Sequence, residues 1–300
     1  MSSIFSIVAP QRSGHHAFIN TLLLRNNLPL IFINNPKTDK KFYFRPPLAR
    51  KPKYRLQFNH SASHFFKSIQ QVDELENIFY SNDPPKDHEL RALFRKNPSL
   101  SLIINFEGGY RRQIQVNEYL NKAIEFTKCE NVKIIRFTRD PLNLLATKLA
   151  RSRFYKQEDN KILPAKRIIN QQEFLGKFTA RFEEDLHFSS QNDLSAIKVD
   201  YASWLSDPDY ALRKAEELGL ITHPPMAQST IHGGGSSFKS TKPGTAYLER
   251  FTRLTGSEPF DGIVKKLDSE IRSYYKQLDI SIFTARHPAM SPHANSSDLG

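Results

Sequence analysis

Apolar residues along this chain gather in five short runs that alternate with stretches of helical spacing. In the first, Ile4, Phe5, Ile7 and Val8 are β-forming residues in a nearly continuous apolar segment, the pattern of a strand buried on both faces of a parallel sheet. Pro10 stops that strand, and Phe18, Ile19, Leu22 and Leu23 follow at the spacing of one buried helix face. Leu28 to Ile33, closed by Asn34-Asn35-Pro36, predicts a second strand, and Leu100 to Phe106 (LSLIINF) a third. The run from Val132 (VKIIRFT) predicts a fourth, and Ala196 to Tyr201 (AIKVDY) a fifth.

Between the strands, helical spacing predicts helices over Ser61 to Tyr80, Asp87 to Lys96, Arg111 to Lys128, Pro141 to Leu149, Ala165 to Phe188, and from Asp207-Pro208 to Leu218, where Gly219 closes the last. Gly262 to Leu278 is the final helix predicted. Strands alternating with helices imply a three-layer α/β/α domain around a central, mostly parallel five-stranded sheet. That domain is expected over residues 1–283, with a helical excursion over about 37–99 and a disordered Ser-, Pro- and Asn-rich tail over 284–300. Lys37 to Lys53 is basic, aromatic and proline-punctuated and predicts no core element, reading as a solvated loop or as a basic lip for an acidic substrate.

The candidate chemistry sits where strands end, because in doubly wound sheets the ligand crevice lies outside the carboxyl ends of the strands. After the first strand come Gln11-Arg12-Ser13-Gly14-His15-His16 and the start of a helix. Gly14 lets the backbone approach a ligand, Arg12 carries fixed charge, and unsatisfied amides at the helix start face an anion. A Walker loop requires GxxxxGK[ST]; this loop has neither the first glycine nor the lysine, which disfavours nucleotide hydrolysis. The alternative is an ordinary strand-to-helix turn carrying surface histidines. Glu107, at the end of the third strand, is a candidate general base or else a cap or ion-pair partner of Arg111 or Arg112. Asp140 reads as an N-cap with Pro141 at the first helical position. His60 and His64 lie four apart, without a third ligand at metal-site spacing, and read as solvated or capping residues.

Arg12, Ser13 and Gly14 resemble the 5′-phosphosulfate loop of sulfotransferases, whose usual form continues with two threonines and a tryptophan where this chain has His15, His16 and Ala17. The segment strand, Arg139-Asp140-Pro141, then Thr147 eight residues after the arginine is similar to that family's 3′-phosphate motif, with threonine for the usual serine. Ser236-Ser237-Phe238, in the chain's one glycine-rich loop, resembles the segment that flanks the adenine; a flexible linker is the other reading. The resemblance is to the bacterial-type, P-loop-like sulfotransferases, and it implies a P-loop NTPase-like sheet. It further implies 3′-phosphoadenosine 5′-phosphosulfate (PAPS) as cosubstrate, no metal, and transfer of a sulfuryl group to an acceptor hydroxyl or amine. Arg12, Ser13, Gly14, His15, His16, Ala17, Arg139, Thr147, Ser236 and Phe238 would then bind the cosubstrate, and Glu107, Arg12 and His16 would act in the transfer. The family's later Arg-Lys-Gly clamp is not found; Lys239, Lys242, Arg250 or Arg253 could stand in its place.

Composition narrows the partners. With 43 Lys plus Arg against 31 Asp plus Glu, a formal charge of +12 steers anions: a nucleotide, an acidic glycan or a nucleic acid. Nucleic acid is disfavoured, because basic residues interleave with aromatics only around Lys40 to Lys53. An atypical kinase or NTPase and a non-catalytic nucleic-acid-binding protein remain the competing readings. The one cysteine, Cys129, excludes an internal disulfide, and no apolar stretch approaches the roughly 20 residues of a membrane span, so a cytoplasmic location is expected.

Overall fold

A computed structural model of the chain describes residues 2–10, 13–25, 27–34, 56–66, 72–75, 78–81, 87–107, 113–150, 152, 154–158, 161–164, 171–190, 195–220 and 250–277. In chain order these form β1 (Ile4–Ala9), α1 (His15–Arg25), β2 (Leu30–Asn34), β3 (Leu56–Asn59), α2 (His60–Ser63), β4 (Val72–Leu75), β5 (Ile78–Ser81), α3 (Asp87–Lys96), β6 (Ser101–Glu107), α4 (Gln113–Thr127) and β7 (Val132–Thr138). There follow α5 (Pro141–Ala150), β8 (Tyr155–Glu158), β9 (Lys161–Pro164), α6 (Gln171–Ser190), β10 (Ile197–Asp200), α7 (Tyr201–Ser206), α8 (Pro208–Glu217), α9 (Phe260–Lys266) and α10 (Asp268–Gln277).

The five strands expected from the apolar runs form the parallel part of one sheet in the order β10-β7-β1-β6-β2. β1 is central, and all six of its residues are buried. A continuous apolar run is what such a position requires, since alternate side chains enter different layers. Ile4 and Val8 join Ile31, Leu102 and Ile104 beneath α3 and α4; Phe5 and Ile7 join Phe32, Ile103 and Phe137 beneath α1, α7 and α8. A third cluster packs α5 against α6, α9 and α10 through Leu145, Phe182, Leu186, Ile263 and Tyr274.

The sheet is larger than expected. Three antiparallel strands extend it past β2 in the order β3-β5-β4, so the sheet has eight strands. The helix predicted over Ser61 to Tyr80 is therefore replaced by α2, a 3₁₀ turn at His64–Phe66, and the β4-β5 hairpin, and the excursion is not helical as a whole. Its helical spacing lost to the open edge of β3, which pairs with β2 on one side and whose other backbone groups are satisfied by β5. Asn59 anchors the join: its Oδ1 accepts from Leu30 N at 2.9 Å and from Ala62 N at 3.1 Å, and its Nδ2 donates to Leu28 O at 2.8 Å. Phe58 and Phe66 stack nearby, ring centroids 4.5 Å apart, in the core. β8 and β9 pair as a separate two-stranded sheet, and the last helix is divided into α9 and α10 at buried Leu267, where one helix was expected.

Candidate active site

β1 delivers its chain to the sheet's carboxyl edge, and the turn that follows is built around Gly14. Ser13 N donates to Pro10 O at 3.2 Å, and Ala17 N donates to Gly14 O at 2.9 Å, the first bond of α1. Gly14 has φ +93°, and a Cβ placed on it would lie 2.5 to 2.8 Å from three ring atoms of Tyr201. Only glycine fits there without displacing the ring. Ala17 therefore spends its amide inside the helix, and its methyl is in the core, whereas the resemblance implies a contact to the cosubstrate there. Gln11 and Arg12 lie outside the described residues.

Glu107 ends β6, in register with Ala9 of β1. Alternation puts Glu107 on the same face as Ile103, the face that α1 covers, and the side chains of Glu107, His15 and His16 converge there. One ligand atom from each of the three lies within 4.8 Å of the other two. Both histidines are buried, their ring centroids 4.3 Å apart, and His15 Nδ1 is 3.0 Å from Ser13 Oγ. Glu107 and His16, which the resemblance assigns to one transfer, thus lie together, with His15 beside them. Two buried amides that pattern reading passed over share this layer of the fold. Asn105, two residues before Glu107 on the same strand face, donates to Asn34 Oδ1 at 2.8 Å, and its own Oδ1 has no hydrogen-bond partner among the described residues. Asn20 Oδ1, one turn after His16, is buried in the same state. The signal for Asn105 was available in the sequence: a lone amide inside LSLIINF, where every neighbour on a strand buried on both faces is apolar or small.

The second expected anion contact, Arg139, follows β7. Its guanidinium carbon lies 5.1 Å from the centroid of the Tyr201 ring, so the same ring packs against both Gly14 and Arg139. Arg139 is only 3% exposed. Burial lowers the proton affinity of Arg139, and Tyr201, Asp140 and Asp200 oppose that shift. Asp140 caps α5 as expected, its Oδ1 accepting from Asn143 N at 2.7 Å and Asn143 Nδ2 at 2.8 Å. Its other oxygen accepts from the Tyr275 hydroxyl, while Tyr274 donates to Arg139 O at 3.2 Å, so α10 clamps the β7-α5 turn. Burial pushes the Asp140 carboxyl up to about 6, and the bonds from Tyr275 and Asn143 oppose it. Thr147 is buried on α5, and its hydroxyl donates to Asn143 O at 2.8 Å. Ser236 and Phe238 lie outside the described residues.

No family model matches the chain, and no curated protein matches it. Among solved structures, it is similar to the crystal structure of mouse sulfotransferase SULT7A1 complexed with PAP, at 13% identity over 92% of this chain and 89% of that one, with a TM-score of 0.41. A likeness at that level assigns no function.

Chemically, the site offers a half-buried carboxylate beside two imidazoles at the first turn of α1, and that turn carries no acidic residue. Such a group can accept a proton from a bound hydroxyl or hold a cation. No helix among the described residues is long and apolar enough to cross a membrane.

Proposed function

We propose that the chain transfers a sulfuryl group from PAPS to an acceptor hydroxyl or amine, with an anionic glycan as the acceptor class that its charge favours. The observation that carries this reading is the convergence of Glu107 and His16 at the first turn of α1, where the Arg12-Ser13-Gly14 loop resembles a phosphosulfate loop. The acceptor oxygen forms a bond to sulfur while the bond from sulfur to the 5′-phosphate oxygen breaks. Glu107 takes the acceptor's proton, and 3′-phosphoadenosine 5′-phosphate (PAP) departs. His16 and the amides at the start of α1 face the charge that develops on the transferred oxygens, and Arg12 supplies fixed charge on the loop. Arg139 and Thr147 bind the 3′-phosphate, and Ser236 and Phe238 contact the base. The site fits an anion through its donor set: a glycine turn, a helix start without acidic residues, and two imidazoles.

Thermal unfolding with nucleotides tests this. PAP in EDTA raises the melting temperature more than ATP with magnesium, and Arg139→Ala weakens PAP binding by roughly 1.5 to 3 kcal/mol, the scale of a hydrogen bond to a charged group. A larger shift with ATP and magnesium would favour a kinase instead.

A further inference from the structure

We propose that His15, His16 and Glu107 form a binding site for one divalent transition-metal ion of the zinc class. The inference goes beyond sulfuryl transfer and does not rest on it: His16 and Glu107 cannot ligate an ion and serve the transferred oxygens and the acceptor's proton at the same time, so the two are alternative states of one site. Three ligand atoms from two elements, the start of α1 and the end of β6, lie within 4.8 Å of one another. Around a tetrahedral zinc with bonds near 2.05 Å, ligand atoms sit roughly 3.3 Å apart, so the three need to close by about 1.5 Å at most. Glu107, half-buried at the end of β6, and His16, in the first turn of α1 with slight exposure, are the two less enclosed members of the three.

The donor set selects the metal. Two imidazoles and one carboxylate suit zinc or cobalt, whereas magnesium and calcium take oxygen donors. An outer partner is also at hand: Ser13 Oγ lies 3.0 Å from His15 Nδ1, and in the tautomer that carries its proton on Nδ1 this hydroxyl accepts it and leaves Nε2, which is shielded from solvent, as the nitrogen for the ion. Three protein ligands leave a fourth position open, the arrangement of reactive rather than purely structural zinc sites. The ion would add two positive charges beside a loop whose anion contacts here are imidazoles instead of hydroxyls. Glu107 cannot hold the ion and accept a proton through the same lone pair, so metal and proton compete for it.

The test uses the full chain, freed of metal with EDTA and desalted, carrying His60→Ala and His64→Ala so that this exposed pair contributes nothing. Cobalt(II) is titrated in while its visible d–d absorption is followed, and zinc is then added as competitor. The expected result is one equivalent of cobalt, displaced by zinc, with affinity reduced in Glu107→Gln and in His16→Asn by at least the roughly tenfold that loss of an outer-shell partner alone costs. Paramagnetic shifts of two histidine imidazole resonances in the otherwise unaltered chain provide a readout that needs no substitution inside the site. No stoichiometric uptake, uptake undiminished in both site variants, or uptake lost with His60 and His64 would overturn the proposal. PAP stabilisation measured in EDTA reports separately on sulfuryl transfer, so either idea can fail alone.

Discussion

Gly14→Ala probes the contact that holds the first loop in place. The substitution has two costs that can be separated. An L side chain at φ +93° strains the backbone by about 1 to 2 kcal/mol. The new methyl also starts 2.5 to 2.8 Å from Cε2, Cζ and Cδ2 of Tyr201, so the ring must retreat by about 1 Å to reach an ordinary carbon contact. Tyr201 packs against Phe137, centroids 6.0 Å apart, and against the Arg139 guanidinium, so retreat of the ring disturbs packed neighbours. Forcing a methyl into a packed site costs about 1 to 3 kcal/mol, for a total of about 2 to 5. A domain is held together by roughly 5 to 15 kcal/mol, so all but the largest of these costs leave a folded variant to measure. Urea unfolding of wild type, Gly14→Ala, Tyr201→Ala and the double variant closes a cycle. With the ring gone, Gly14→Ala should cost only the backbone strain, leaving a coupling of about 1 to 3 kcal/mol. Equal costs in both backgrounds would refute the claim that the Tyr201 ring is what excludes a side chain at position 14.

Two further outcomes are expected. Glu107→Gln should lower kcat roughly 100-fold while leaving PAP-induced stabilisation and melting temperature nearly intact; turnover near wild type would move the base to His16. Asp140 should give stability an inverse pH slope. Its carboxyl titrates near 6 when folded against 3.8 when exposed, so between those values the folded chain keeps a proton that the unfolded chain has lost, and stability falls by up to about 3 kcal/mol as the pH rises through 6. Asp140→Asn can still accept from Asn143 N and should remove that component, while Tyr275→Phe, which withdraws a bond to the ionised form, should steepen it; identical pH profiles for wild type and Asp140→Asn would exclude the assignment.

Burial was legible along this chain because it leaves a local imprint. A strand covered on both faces must be apolar throughout, and the runs at Ile4, Leu30, Leu102, Ile135 and Ile197 all became parallel strands. The Asp140-Pro141 helix start and the Gly219 stop were readable for the same reason, since caps act within four residues. Pairing across long separations left no such imprint. The residues from Val72 to Ser81 satisfy a helical period, yet they became two paired strands because β3 offered an edge to β5, and an edge is a property of the assembled sheet. Glu107, His15 and His16 were each visible as chemistry. Only the register of β6 on β1, and the seating of α1 on the face that Glu107 shares, made them one cluster. Tyr201 over Gly14 and Tyr275 on Asp140 depend likewise on which layer each chain end packs into, a choice made by the whole core and not by either neighbourhood.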